Sequence, residues 1–366
     1  MGRSFRRIPV FIPQLGCRHA CSYCNQAAIT GVPQAPPPEL IDRIVEQHLA
    51  TFGTDVREAE IAFFGGTFTA LPVALQGTYL RQAARYIRNG SPVRSLRFST
   101  RPDDIDPAML PVYQSYGVRT IELGAQSLHD DILEAVRRGH RRADVEKASA
   151  DILNAGLRLG LQMMIGLPGD SLERSLDTAR RFIALGATET RIYPTLIMEK
   201  TLLAEQYRAG LYKPLDLDEA VAWCAEILPL FEAAGVRILR VGLHPSEELV
   251  SGDGFLAGPF HPAFRALADS AIWGKIWRKE KFDGTASVEE TANRNTTDAA
   301  PHPAGTPPQP VRRRERLKLW VPAGQVNSAN GHRGENKRYL GTRFRKVSIY
   351  GDPTLSGREY RYELCF

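Results

Sequence analysis

The 366-residue sequence is 43% hydrophobic and 24% charged, which is the composition of an ordinary globular protein with a full-sized core. Pro9 and Pro13 interrupt its short N-terminal apolar stretch, so neither a secretory signal nor a membrane span is expected. Five cysteines, three of them between positions 17 and 24, favour metal binding in a reducing compartment over a disulfide framework, and we expect a cytoplasmic protein with no membrane partner.

From Ile8 to Val241, short apolar runs alternate with amphipathic stretches, a pattern typical of βα units around a parallel sheet. Strands are predicted at 8–12, 60–64, 95–99, 119–123, 159–164, 189–193 and 236–241, with helices at 40–52, 75–89, 144–155, 172–185 and 218–234. This predicts an α/β fold, a partial (β/α) TIM-like barrel of six main strands with extra elements after Val236. Functional residues should follow the C-terminal ends of the strands.

Three cysteines follow the first strand within GCRHACSYCN, with three residues between Cys17 and Cys21 and two between Cys21 and Cys24. Three thiolates on one short loop can wrap a cubane iron–sulfur cluster and leave one of its four irons without a protein ligand. The alternative is a structural zinc site with His19 or a distant residue as the fourth ligand, although no second cysteine pair follows at zinc-ribbon spacing. Cys224 and Cys365 are interpreted as a core thiol and a tail residue.

Later strands end in further polar and glycine-rich motifs. They are Gly65-Gly66-Thr67, then Ser99-Thr100-Arg101-Pro102-Asp103, then Gly124-Ala125-Gln126-Ser127 with Arg137-Arg138-Gly139-His140, and then Met163-Met164-Ile165-Gly166-Leu167-Pro168-Gly169. Glycines after a strand let a ligand approach the backbone, and an arginine at such a position suits a carboxylate. Each motif alone also has a plain structural explanation: a turn, a surface ion pair, a helix cap or core methionines.

Taken in order, the motifs resemble those of the radical S-adenosylmethionine (SAM) superfamily. GAQS, RRGH and MMIGLPG resemble elements of the Elongator catalytic subunit and, more distantly, of the anaerobic coproporphyrinogen oxidase, and RIYPT at 191–195 resembles the Elongator subunit specifically. The resemblance runs from about Pro9 to Val241. It implies a radical SAM enzyme that cleaves SAM to a 5'-deoxyadenosyl radical, with a [4Fe-4S] cluster and SAM as cofactors and an electron donor such as flavodoxin or ferredoxin.

The resemblance also implies roles for single residues. Cys17, Cys21 and Cys24 would ligate the cluster, and Tyr23 matches the aromatic residue that precedes the third cysteine. The predicted SAM contacts are Gly65, Gly66 and Thr67 for the amino group, Arg101 and Arg138 for carboxylate recognition, Gln126 for the ribose and Met164 at the adenine pocket. Thr67 departs from the family, in which many members carry Glu.

Two departures from the Elongator subunit affect the expected chemistry. No segment here is long enough for the acetyltransferase domain that follows the radical SAM domain in that subunit, so use of acetyl-CoA is left open. Its place is taken by sequences around His244 and His261, each followed by proline, which are either polar groups over the reaction site or loop histidines without a catalytic part.

The C-terminal part has a different composition. Residues 283–310 are rich in Thr, Ala, Pro and Asn and predict a disordered linker between a barrel region at 1–282 and a basic module at 311–366. From Arg312 to Lys346 there are eleven Lys or Arg residues and two Glu. Within them, Gly331-His332-Arg333-Gly334 between two helical segments and two strands resembles a minimal α+β KH unit, in which a GxxG loop clamps an RNA backbone.

The sequence therefore predicts a radical SAM enzyme acting on RNA, with a tRNA base as the expected substrate. Two alternatives stay open. One is a radical SAM enzyme for a small metabolite or porphyrin-like substrate, in which the basic module is structural or a solvated cap. The other is a non-catalytic, zinc-stabilised RNA-binding protein, which would leave the glycine and glutamine motifs at successive strand ends unexplained.

Overall fold

The computed structural model describes residues 4–12, 17, 20–25, 35–53, 56–243, 247–252, 254–282 and 314–365. His19, His244 and the predicted linker lie outside them. Backbone contacts divide the chain into two compact units, Met1–Trp223 with Ile227–Pro262 and Cys224–Glu226 with Ala263–Phe366. The predicted domain boundaries at 282 and 310 stay a prediction. No helix in the described part of the chain combines the length and apolarity that a membrane crossing requires.

The first unit contains a parallel sheet of seven strands, which confirms the predicted α/β half-barrel fold. The strands, in sheet order, are β1 (Ser4–Ile12), β2 (Val56–Gly65), β3 (Val93–Thr100), β4 (Val118–Gln126), β5 (Arg158–Ile165), β6 (Glu189–Pro194) and β8 (Arg237–Val241). The last strand pairs with β6 and so belongs to the sheet, one strand beyond the six main strands predicted. A separate antiparallel pair joins β7 (Ile197–Met198) and β9 (Phe255–Ala257).

Helices connect these strands, as the alternating pattern predicts. They are α1 (Ile41–Ala50), α2 (Val73–Ala84), α3 (Leu110–Ser115), α4 (Asp130–Ala135), α5 (Arg142–Asn154), α6 (Leu172–Ala184), α7 (Leu202–Arg208), α8 (Leu217–Ala233) and α9 (Glu247–Ser251). Ser171 caps α6 by accepting a hydrogen bond from the Arg174 amide, and Asp216 and Glu219 form a capping box on α8. The short α3 and α4 were not predicted from the sequence, because a helix of six residues shows little helical periodicity.

Alternation along the strands separates an apolar face from a polar one. In β1, Ile8, Val10 and Ile12 are buried, whereas Arg7 is partly exposed and lies among polar residues. In β3, Leu96 and Phe98 alternate with the buried Arg97. Because strand side chains point to opposite faces in turn, one face of the sheet forms an apolar core and the other carries charges inside the curve of the half-barrel.

The second unit is a small α+β module. Its elements are α10 (Phe264–Lys279), β10 (Arg314–Pro322), α11 (Val326–Asn330), α12 (Glu335–Arg343), β11 (Phe344–Asp352) and β12 (Arg361–Cys365). In the sheet, β10 is central, parallel to β11 and antiparallel to β12. Trp273 and Trp277 pack with Leu319 and Leu340 in its core. The order strand, helix, GHRG, helix, strand is present, and the likeness to a KH unit stays a prediction.

Candidate functional site

A cavity of about 520 Å³ lies at the C-terminal ends of the strands of the first unit. Every residue that the sequence predicts to bind the cluster or SAM lines this cavity. These residues are Cys17, Cys21, Cys24, Tyr23, Gly65, Gly66, Thr67, Arg101, Gln126, Arg138 and Met164. The structure therefore brings together motifs that lie up to 147 residues apart, from Cys17 to Met164.

The cysteine loop is fixed to the barrel through its backbone. The Ser22 amide donates a hydrogen bond to the Val136 carbonyl at 3.0 Å, and the Ser22 carbonyl accepts one from the Leu203 amide at 2.7 Å. Cys21 is buried and Cys17 is exposed. Among the described residues, no three His, Cys, Asp or Glu side chains converge on a single-ion site. A cubane cluster makes a different demand, because its cysteine ligands bind different irons around the cluster.

The glycine motif lies against the first cysteine. Gly65 ends β2 with a φ of 108°, a backbone conformation that favours glycine. The Thr67 hydroxyl lies 3.5 Å from the Cys17 sulfur, and Thr67 is buried. Thr67, the residue that departs from the family pattern, therefore contacts the predicted cluster loop directly.

Arg138 is buried between the cysteine loop and β4. Its Nη1 donates a hydrogen bond to the Cys21 sulfur at 3.3 Å, and its Nη2 donates one to the Gly124 carbonyl at 2.6 Å. Burial opposes the charged form, but Tyr23 and the Cys21 sulfur outweigh it and hold the pKa of Arg138 above its ordinary value. A Cβ at Gly124 would lie 2.8 Å from Nη2, so this glycine makes room for the guanidinium, a role that sequence reasoning missed.

Two further residues offer groups that suit a ligand. Gln126 has a φ of 68°, at a register irregularity of β4, and its buried Oε1 lacks a hydrogen-bond partner. An orphaned buried acceptor is costly unless a ligand donor satisfies it. Met164 and Tyr23 pack against the buried side chains of Ile132 and Leu167, which gives the cavity an apolar wall.

Arg101 already has a carboxylate partner within the protein. Its Nε and Nη2 donate to the two carboxylate oxygens of Asp103 at 3.0 and 2.7 Å, while its buried Nη1 has no hydrogen-bond partner. His140 lies close by, with its Nε2 3.2 Å from the Ala125 carbonyl and its Nδ1 4.0 Å from Asp103. Burial and the charge of Arg138 lower the pKa of His140 to about 3, so the imidazole is neutral near pH 7.

Sequence reasoning missed a group of charges inside the half-barrel. Arg97 is fully buried and forms ion pairs with Glu60, Glu122 and Glu189 at 3.2, 2.7 and 2.7 Å. Gly160 leaves space for this network, because a Cβ there would lie 3.1 Å from the Glu122 side chain. The signal was present in the sequence, since arginine and glutamate occupy alternate positions of otherwise apolar strands.

Arg7, Arg191 and Arg240 also line the cavity, and the first two adjoin this network. Arg191 pairs with Glu122 at 2.7 Å, and Arg7 lies 3.4 Å from Glu60. Burial and the nearby Arg97 lower the pKa of Arg7 to about 10, so it is still a cation near pH 7. With Arg101 and Arg138, the described cavity lining contains five arginines and no Asp or Glu.

The remaining predicted residues that the structure describes do not line this cavity. His261 is described but does not line it. In the second unit, His332 and Arg333 are exposed, and Gly331 and Gly334 have φ values of 86° and 76°. A Cβ at Gly331 would lie 2.6 Å from the backbone nitrogen of Asn336, so both the conformation and the space require glycine there.

Comparison with protein families gives two matches. The model of the radical SAM superfamily matches residues 11–182, and the model of the Radical_SAM C-terminal domain matches residues 188–273. Both matches contain segments of the described cavity lining.

Comparison with individual proteins gives relatives of greater length. A tRNA uridine(34) acetyltransferase of Dehalococcoides mccartyi is 29% identical over 64% of this chain and 58% of its own. Elongator complex protein 3 of Homo sapiens is 28% identical over 61% of this chain and 43% of its own. The solved Elp3 of the archaeon Methanocaldococcus infernus superposes with a TM-score of 0.58 and 21% identity, over 74% of this chain and 63% of that one. The alignments thus span less than two thirds of each of these proteins.

Proposed function

The chain belongs to the radical SAM superfamily, and we propose that it modifies RNA, with a tRNA base as its substrate. The observation that supports a SAM-dependent site is the cavity itself. Residues from the cysteine loop and from the ends of β2, β3, β4 and β5 line one space, together with Arg138 after α4. If these motifs were only structural turns and helix caps, their residues would not have to face a common cavity. Residues that bind one shared ligand do have to face it.

The residues present suit the cofactors of this family, a [4Fe-4S] cluster and SAM. Cys17, Cys21 and Cys24 would hold the cluster, and thiolates are its usual ligands. When bound, the cluster supplies the electron that cleaves SAM and so provides the radical that takes hydrogen from the substrate. Flavodoxin or ferredoxin is the proposed source of that electron.

The protein's own groups then bind and orient SAM. The backbone at Gly65 and Gly66, next to Thr67, would receive its amino group, and the orphaned Oε1 of Gln126 would accept a hydrogen bond from a ribose hydroxyl. Arg138 has a buried Nε without a hydrogen-bond partner, which can donate to a carboxylate. Arg101 offers its free Nη1 in the same way, and Met164 would pack on the adenine.

The RNA part of the proposal has three supports. The relatives include proteins named tRNA uridine(34) acetyltransferase and Elongator complex protein 3, although this chain spans only part of each. The cavity lining carries five arginines. Arg7, Arg101 and Arg191 pair with carboxylates of the protein and Arg138 is assigned to SAM, so Arg240 is the one proposed to meet a substrate phosphate. In the second unit, the exposed His332 and Arg333 of the GHRG loop are proposed to contact an RNA backbone. Use of acetyl-CoA is not part of the proposal.

The test is anaerobic reconstitution of the full chain with iron and sulfide, followed by incubation with SAM, dithionite and bulk tRNA. We expect about four irons per chain, release of 5'-deoxyadenosine, and a new modified nucleoside by mass spectrometry that is absent from the RNA of cells lacking the gene. Release of 5'-deoxyadenosine with no RNA product under any condition would overturn the RNA substrate and favour a small metabolite or porphyrin-like one. A colourless protein with one zinc would overturn the cluster assignment.

A further inference from the structure

The three-stranded sheet of the second unit has one buried face and one exposed face. In β10, Leu317, Leu319 and Val321 are buried in the core that also contains Ala329 of α11 and Leu340 of α12. Because side chains alternate along a strand, the residues between them point to the other face of the sheet. The GHRG loop joins α11 and α12, so it belongs to the opposite side of this sheet.

An aromatic pair lies in one row across the exposed face. Trp320 is the register partner of Tyr350 on β11 and of Arg361 on β12. The two rings are 5.7 Å apart and inclined by 32°, and the Arg361 guanidinium lies 4.6 Å from the centre of the Trp320 ring. Tyr350 is 46% exposed. Tyr350 is thus open to solvent, and Trp320 is partly exposed beside it with the Arg361 guanidinium over its ring.

The rows beside the aromatic pair are basic. Lys318 and its neighbours Arg316 and Lys346 occupy the same face, because their register positions differ from the aromatic row by even numbers of residues. Lys318 pairs with Glu363 at 3.3 Å, and Arg361 pairs with Asp352 at 2.9 Å. Arg316 and Lys346 are exposed and have no ion-pair partner in the part of the chain that the structure describes. Four cations against two carboxylates leave the face positively charged.

We propose that this face binds single-stranded RNA, with bases stacked on Trp320 and Tyr350 and phosphates held by Arg316, Lys318 and Lys346. The proposal rests on the proposed function in that it takes RNA as the substrate. Neighbouring strands lie about 4.8 Å apart, which allows two successive bases to rest on the two rings. A protein partner is disfavoured, because the neighbouring rows hold Lys318, Ser348 and Glu363 on one side of the rings and Pro322 and Asp352 on the other, so that polar and charged side chains predominate around them.

The test is the affinity of the full chain for a fluorescein-labelled single-stranded oligouridylate of about 12 nucleotides, within the usual site sizes of about 4–16. Each base stacked on an aromatic ring contributes to the free energy of binding. The double variant Trp320→Ala/Tyr350→Ala should therefore bind at least about tenfold more weakly, as measured by fluorescence anisotropy. The variant Trp320→Phe/Tyr350→Phe keeps both rings and should bind within about twofold of wild type. Tyr207→Ala, which removes an aromatic residue that is 37% exposed in the first unit, is the matched control and should leave affinity unchanged.

Wild-type affinity in the double alanine variant would overturn the proposal, provided that circular dichroism shows the variant folded. Loss of affinity in the Phe variant as well would also overturn it, because ring stacking would then not be the source of binding. Failure of the proposed function gives a different result, namely stacking-dependent RNA binding without any modified nucleoside. SAM cleavage without RNA should be the same in all four proteins.

Discussion

The cavity of the first unit and the exposed sheet face of the second unit are built in opposite ways. The cavity gathers short motifs that each follow a strand, and two of its arginines, Arg7 and Arg191, lie beside the buried carboxylates of Glu60 and Glu122. The sheet face has no motif, and its aromatic row exists only through the pairing of three strands. Local sequence can therefore indicate the first kind of site, whereas the second becomes visible only once strand register is known.

The largest effect should come from the cysteines, on which the assignment of the cavity depends most. Replacing Cys17, Cys21 and Cys24 with alanine should abolish the brown colour of the reconstituted protein and all release of 5'-deoxyadenosine, because the cluster then has no protein ligands. Iron content and absorbance at visible wavelengths measure this.

Cys224 is the matched control for the cysteine variant. It is fully buried, and burial raises the pKa of its thiol to about 12, so it behaves as a small apolar side chain. Cys224→Ala should keep full colour. An uncoloured Cys224→Ala protein that is folded, or a coloured triple variant, would remove the three-cysteine assignment.

The second test concerns the buried ion pairs inside the half-barrel, which contrast with the exposed charged side chains of the sheet face in the second unit. Arg97→Met should lower the free energy of unfolding by about 3–5 kcal/mol, because it leaves three buried carboxylates without their shared cation. Lys147→Ala removes an exposed i,i+4 pair with Asp151 and should cost at most about 0.5 kcal/mol. Urea denaturation measures both, and equal small losses would show that the buried network does not stabilise the fold.

Periodicity and motifs in the sequence were enough to predict the parallel half-barrel and the residues that meet at its cavity. Hydrophobic alternation indicated each main strand, and the glycines and cysteines of the motifs line the cavity. Of the arginines in the lining, Arg101 and Arg138 were predicted, whereas Arg7 of β1, Arg191 of β6 and Arg240 of β8 were not. Arg191 and Arg240 are register partners on neighbouring strands, and sheet curvature brings Arg7 of β1 within 3.6 Å of Glu189 on β6. Neither the register nor the curvature is encoded in the pattern of residues along one strand.

The third test is whether Arg138 contacts SAM as well as the cysteine loop. Arg138→Ala should weaken SAM binding by about 1.5–3 kcal/mol, the loss expected for a hydrogen bond to a charged group. The exposed neighbour Arg137, at a φ of 53°, is best replaced by asparagine, which tolerates that conformation, and Arg137→Asn should bind SAM normally. Isothermal titration calorimetry gives both affinities. Unchanged affinity in Arg138→Ala would exclude it from the SAM contacts and leave the cluster assignment standing.

The fourth test uses pH, to which the two regions should respond differently. The pKa of His140 is about 3 in the folded protein, below its unfolded value of about 6.5. The unfolded state therefore binds more protons between these values, and stability falls as pH decreases below about 6.5, with a slope approaching about 1.4 kcal/mol per pH unit. His140→Gln should reduce that slope in urea titrations between about pH 6.5 and 5. His332→Gln, which alters an exposed histidine of the second unit, should not, and equal slopes in all three proteins would contradict the assignment.

The smallest effect should come from the GHRG loop, and it separates RNA binding by this loop from RNA binding by the exposed sheet face of the same unit. Replacing His332 and Arg333 with aspartate puts two carboxylates where phosphates are proposed to bind. The loop should keep its shape, because Gly331 and Gly334 are retained and aspartate tolerates the left-handed conformation of position 333, where φ is 50°. RNA affinity should fall about three- to tenfold, or about 0.7–1.4 kcal/mol. The log–log dependence of affinity on salt should become less steep by about 0.7 for each phosphate that the loop no longer neutralises.

The Trp320→Ala/Tyr350→Ala variant should instead bind more weakly with little change in that salt dependence, since stacking releases no counterions. If the aspartate pair leaves affinity and slope intact, the GHRG loop does not bind RNA, and the exposed sheet face is then the proposed RNA-binding surface of the second unit.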